Sequence, residues 1–223
     1  MKILTLIARL FIAATFIFSG FVKLVDPLGS AYKFTEYFGA DVLNMEFLIP
    51  YALPFSILLI IAEILLGVML LIGFLPKFTT WSLFLMTLLF LFLTWYSWTY
   101  DKVTDCGCFG DAIKLTPKET FYKNVLLIIV AAFLIFAVKH IKPLFDKSML
   151  KWLTLGSLMV FLYITYHVLV HLPIIDFRPY AVDKSIQEGM KETGVDGLPK
   201  VHDFFLETND GDDLTEEILS KEK

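Results

Sequence analysis

Apolar residues in this chain come in long unbroken blocks rather than in an alternating or heptad pattern. Five blocks reach the length that crosses a bilayer, roughly 20 residues for a hydrocarbon core of ~30 Å. They run over about residues 3–22, 53–75, 78–98, 121–138 and 149–172. Charge inside them is sparse: Arg9 in the first, Glu63 in the second, none in the third, Lys123 at the edge of the fourth and Lys151 near the start of the fifth. The pattern predicts an all-α integral membrane protein with five spanning helices. The first block is expected to be retained rather than cleaved as a signal. No small-x-small site precedes a polar start, and Gly20-Phe21-Val22-Lys23-Leu24 continues the segment.

The connections carry their own signals. Residues 29–45 are too polar to cross, yet Tyr32, Phe34, Tyr37 and Phe38 recur at near-helical spacing, which predicts an amphipathic helix lying in the interface. Pro50 and Pro54 stand at the entrance of the second span, where a missing N–H costs least. Thr116, Pro117 and Glu119 spell a Thr-x-x-Glu capping box with proline at the first helical position, so the fourth span should start there. Trp95, Tyr96, Trp98 and Tyr100 form an aromatic belt at the end of the third span. After Leu172-Pro173 the tail reads as extended, with a strand expected over 204–208, a turn at Asn209-Asp210-Gly211 and a short helix from Thr215 through Leu219. One strand and one helix cannot make a core, so the tail packs on the membrane domain, binds a partner or opens a further soluble region.

Composition agrees with the block pattern: 57% of residues are hydrophobic and only 19% charged, against about a quarter charged in soluble domains. The net charge of −4 sits mostly at one end, since residues 203–223 hold eight Asp or Glu against two Lys. Such a tail is a solvated face and excludes a nucleic-acid partner. Lysine density sets the expected topology. With the N-terminus in the cytoplasm, Lys2, Lys77, Lys139, Lys142, Lys147 and Lys151 crowd into short inner segments. Lys23, Lys33, Lys102, Lys114, Lys118 and Lys123 spread over longer outer ones. The cysteine loop and the C-terminus would then face the periplasm.

Three sets of residues could carry chemistry. The only cysteines lie in Asp105-Cys106-Gly107-Cys108-Phe109-Gly110-Asp111. In an oxidising compartment a Cys-x-Cys disulfide closes a small strained ring that is easily reduced, and Gly107 and Gly110 supply the backbone freedom it needs. The two sulfurs are expected within bonding reach at the outer membrane surface. The plain reading is a loop staple, or two thiols kept reduced around a tight turn. Asp105 and Asp111 raise a thiol pKa rather than lower it, with Lys102 as counterweight, and two thiols with two acids make an unusual zinc set, so no metal is expected. Arg9 and Glu63 stand at similar depth by helical rise in spans that run antiparallel, which predicts an ion pair, either direct or bridged by one polar group. That pair is either a proton or quinone site or a packing device. His167 and His171 share one face of the fifth span at i, i+4, a spacing that fits a metal or haem as well as interfacial hydrogen bonds.

Arg9, the Phe18-Ser19-Gly20-Phe21-Val22-Lys23-Leu24 stretch and Ala62-Glu63-Ile64-Leu65-Leu66-Gly67 together resemble the DoxX-like superfamily. The Cys-Gly-Cys-Phe-Gly string is similar to its branch of methylamine utilisation protein MauE, and the likeness covers roughly residues 1–140. The resemblance implies a four-helix transmembrane bundle distantly similar to vitamin K epoxide reductase. It also implies a role in helping a periplasmic partner acquire disulfides, with Cys106 and Cys108 carrying it. Two features depart from that pattern: a fifth span with a tail, and the absence of the second cysteine pair of the epoxide reductases, which leaves no visible relay to a quinone.

The expected organisation is a four-helix domain over 1–140, a fifth transmembrane helix over 141–172 and a periplasmic tail over 173–223. The expected function is thiol–disulfide exchange with a periplasmic thiol protein from the bacterial inner membrane. The alternative is a non-catalytic subunit that docks or assembles a membrane complex through its loop and tail.

Overall fold

The computed structural model describes residues 1–40, 42–100, 110, 112–113, 115–171, 173–175 and 177. The chain divides after Asp176, and every described residue but Phe177 lies before that division. Six α-helices make up the described part: α1 (Lys2–Val25), α2 (Pro27–Phe38), α3 (Ala52–Ile72), α4 (Pro76–Tyr100), α5 (Pro117–Phe136) and α6 (Lys147–Val170). A 3₁₀ segment over Glu46–Tyr51 leads into α3, and another over Val138–His140 follows α5. Five helices are long and apolar enough to cross a membrane, and no strand occurs among the described residues. The tail elements expected over 204–219 lie outside the described residues.

Local chemistry sets the helix ends. Asp26 terminates α1 with its N–H on Lys23 O and starts α2 with Oδ1 accepting from Gly29 N at 3.0 Å, Pro27 following at the first helical position. The helix expected in the interface over 29–45 is therefore shorter and begins earlier. It also buries Ala31, Tyr37 and Phe38, because Ser56 Oγ of α3 donates to Pro27 O and holds the start of α2 on the bundle. The predicted capping box forms: Thr116 Oγ1 accepts from Glu119 N at 3.2 Å, and Glu119 Oε2 accepts from Thr116 N at 2.9 Å.

The tightest packing joins α1 to α3. A Cβ at Gly20 would lie 2.8 Å from Ile64 Cβ, and one at Gly67 would lie 2.9 Å from Ile17 Cγ1. One glycine notch on each helix thus lets the two backbones approach, the usual route to close contact in lipid, where tails solvate side chains as well as protein does. Ala8, Ile12, Phe16, Leu70, Leu83 and Leu134 fill the core where α1, α3, α4 and α5 meet. Helix α6 is different: only Leu150, Thr165 and Val168 are buried, and it leans on α3 and α1 through residues such as Phe161 and Ile164.

Candidate functional site

Helix α1 carries two buried cations on its α3-facing side, and each meets a different kind of partner. Lys23 is 6% exposed and Glu63 1% exposed, so neither reaches lipid headgroups or water. Lys23 Nζ donates to Glu63 Oε2 at 2.9 Å, to Glu63 Oε1 at 3.1 Å and to Ser19 Oγ at 2.8 Å. Ser19 sits one helical turn before Lys23, so i, i+4 geometry delivers its hydroxyl to the ammonium. The Phe90 ring of α4 lies 5.5 Å from Nζ and adds a cation–π contact in low dielectric. Both carboxylate oxygens and the ammonium are satisfied inside the bundle. That is the condition for keeping charges where an isolated one costs several kcal/mol.

Arg9 does something else. Its Nε donates to Leu70 O at 2.8 Å, Nη2 to Leu71 O at 2.9 Å and Nη1 to Lys142 O at 2.9 Å. Leu70 and Leu71 belong to the last turn of α3, whose carbonyls carry the negative end of its dipole; Leu70 O also accepts from the capping Gly73 N–H at 3.2 Å. The planar fork of the guanidinium spans those two carbonyls and a third from the α5–α6 linker, which a lysine could not do. Gly73 makes room for this. It caps α3 at φ 77°, and a Cβ there would stand 2.9 Å from Arg9 Nη2 and 2.7 Å from Lys142 O.

The expected Arg9–Glu63 ion pair is therefore corrected. Glu63 lies about 10 Å along α3 from the carbonyls that hold Arg9, by the rise of seven residues. It pairs with Lys23 instead. The equal-depth argument aligned the two spans by their sequence limits, whereas Gly20 against Ile64 and Gly67 against Ile17 set the actual register. Lysine density places Lys23 in an outer segment, whereas it is buried near the end of α1. The signal that could have found it was Ser19-x-x-x-Lys23, a hydroxyl and an amine one turn apart at the end of an apolar span.

Of the cysteine loop, Asp105, Cys106, Gly107, Cys108 and Asp111 lie outside the described residues. Gly110 is described. It takes φ 50°, and a Cβ there would fall 3.1 Å from Val22 Cγ1, so this residue is seated on α1 at Val22. At the same end of the bundle Tyr37 OH meets Ser97 Oγ at 3.1 Å, and Tyr96 OH donates to Val42 O at 2.7 Å, tying the α2 region to α4. Asn124 Nδ2 donates to Thr94 Oγ1 at 3.3 Å between α5 and α4. On α6 the rings of His167 and His171 stack at 4.8 Å, with His167 Nδ1 buried and without a partner among the described residues. No group of three or more His, Cys, Asp or Glu among the described residues is arranged to hold a metal ion.

Five apolar helices, two of them notched together around a buried Lys–Glu pair, define a multi-pass membrane protein. The family model for methylamine utilisation protein MauE matches residues 1–137, more than half of the chain, and the protein belongs to that family. The matched region ends before α6, so the fifth span is an addition to it. No curated protein and no solved structure matched the chain significantly.

Proposed function

We propose that this MauE-family protein is a thiol–disulfide protein of a bacterial inner membrane that oxidises a partner on the periplasmic side through Cys106 and Cys108. The observation that carries the reading is the seat of Gly110 on Val22 of α1, two residues along the chain from Cys108. The loop is anchored on both sides, by α4 ending at Tyr100 and by the capping box that starts α5. A partner thiolate attacks one sulfur of the Cys106–Cys108 disulfide. The S–S bond breaks, a mixed disulfide forms, and the other cysteine leaves as a thiolate that takes a proton. The partner's second thiolate then attacks its own sulfur of the mixed disulfide and leaves with its new bond, and two thiols remain on this chain. Their two electrons and two protons pass to an acceptor of the quinone class. Asp105, Gly107, Gly110 and Asp111 shape the loop, and the Lys23–Glu63 pair takes the structural or proton-linked place expected of Glu63 with Arg9. The family name refers to methylamine utilisation, and the exchange proposed here requires no amine substrate.

The domain reading goes with this function: a four-helix domain over 1–140, a fifth helix over 141–172 and a periplasmic tail over 173–223 that receives the partner. The test is trapping in cells. Cys108→Ser or Cys106→Ser should accumulate a mixed disulfide with one periplasmic protein, while helix content and membrane insertion stay unchanged. Full function of both single variants with no captured partner would assign the loop to structure and favour a non-catalytic assembly subunit.

A further inference from the structure

A second face of the molecule is unaccounted for by thiol chemistry. The N-terminus of α1, the short turn between α3 and α4 and the linker from α5 to α6 all lie at one end of the bundle. There, Lys2, Lys77, Lys139, Lys142, Lys147 and Lys151 are all exposed. None of them takes part in an ion pair among the described residues, and Asp146 is the one acid between Ala137 and Lys151. The other end is mixed in sign, with Asp26, Glu36, Glu46 and Glu119 interspersed among its lysines and Lys33 paired to Glu36 at 3.1 Å.

The linker that bears much of this charge is fixed to the bundle. Arg9 Nη1 holds Lys142 O, Leu144 N donates to Ile72 O at 3.0 Å, and Ile141 is 5% exposed in the main core. Pro143 Cα and Lys142 O fill the space that a side chain at Gly73 would take. Lysines on such a linker are presented as a fixed array, at less entropic cost per contact than on a mobile loop. Leu144, Phe145 and Trp152, all exposed beside them, supply the apolar and aromatic surface that sits at the boundary of headgroups and acyl chains.

We propose that this Arg9-braced end is a docking face for the phosphodiester headgroups of anionic phospholipids. The charge is positive apart from Asp146, it lies at the level where spanning helices leave the hydrocarbon, and apolar side chains flank it. A bilayer surface matches that combination, whereas a soluble anion would engage only the lysines. The face is independent of the cysteine loop.

The full chain is reconstituted in nanodiscs of phosphatidylcholine with increasing phosphatidylglycerol, and thermal unfolding and lipid retention by native mass spectrometry are read. Phosphatidylglycerol should raise the unfolding temperature and remain bound through detergent exchange, with retention falling roughly fivefold for each lysine removed. Lys139→Gln, Lys142→Gln and Lys147→Gln combined should abolish the shift, while Lys33→Gln with Lys118→Gln at the other end should leave it intact. Arg9→Lys keeps every surface lysine yet loosens the linker, and should lower retention as well. Inorganic phosphate at millimolar concentration should produce no shift. Equal stability in the two lipids, undiminished retention in the triple variant, or a phosphate shift as large as the lipid's would overturn the proposal.

Discussion

Arg9 and Lys23 lie about four helical turns apart on the same helix, both buried, both in a segment that crosses a membrane. One is neutralised by dipoles and the other by a countercharge. Arg9 needs no acid because the carbonyls of α3 and of the linker accept its hydrogen bonds in a fixed plane. Lys23 has a single compact ammonium that a carboxylate can match, with Ser19 and Phe90 completing its surroundings. A buried acid thus calls for a buried base, whereas a buried arginine calls only for acceptors. The first site is a two-body device that breaks when either member is lost. The second is a brace that joins three separate stretches of chain.

The largest effect should come from unbalancing the carboxylate pair. Lys23→Met or Glu63→Leu alone strands a charge and should lower stability by about 3–5 kcal/mol in denaturant unfolding of the purified protein. The double variant Lys23→Met with Glu63→Leu should recover most of that loss. Additive losses would mean that the two residues do not act as a pair. Arg9→Ala removes the guanidinium from three carbonyls, of which Leu70 O keeps only the Gly73 N–H, and should cost about 3 kcal/mol, with no rescue available from any change at Glu63. A double-mutant cycle between Arg9 and Glu63 giving a coupling above about 0.5 kcal/mol would break the comparison. Gly67→Val forces α3 away from Ile17, and the overpacking should cost about 1–3 kcal/mol. Because Gly67 lies between the two sites along α3, hydrogen exchange should show whether both loosen or only one. Ser19→Ala removes one acceptor from Lys23 and should cost about 1 kcal/mol, a shift readable in the same unfolding curves.

Much of this fold was legible because lipid imposes a simple rule on sequence. Apolar blocks long enough to span became spanning helices, with ends that moved by a few residues: α1 runs on to Val25 and α5 opens at Pro117, where its capping box had pointed. Glu63 was legible as a residue in need of a partner. The identity of that partner was not, because it depends on helix register, which Gly20 and Gly67 fix through contacts far apart in sequence. Lysine also misled by its length. A base two residues from the end of a span reads as a surface anchor, but its four-carbon stem can turn inward when a carboxylate lies within reach. Asp26 ends one helix and begins the next through a single side chain, a role that its lone position before Pro27 left unread. The cysteine pair was the most visible motif, and it lies in the part of the chain that the described residues do not cover.

The three acceptors of Arg9 are made at very different moments of synthesis. Leu70 follows it by 61 residues, Leu71 by 62 and Lys142 by 133. When α1 leaves the ribosome and meets the insertion machinery, its guanidinium has no acceptor of its own, and an arginine deep in a lone helix costs about 2.5–3.5 kcal/mol on insertion scales. The helix enters on the strength of its leucines, isoleucines and phenylalanines and waits. Arrival of α3 supplies two carbonyls, and only delivery of the linker before α6 supplies the third. The N-terminal helix of this protein is thus in place early and finished late.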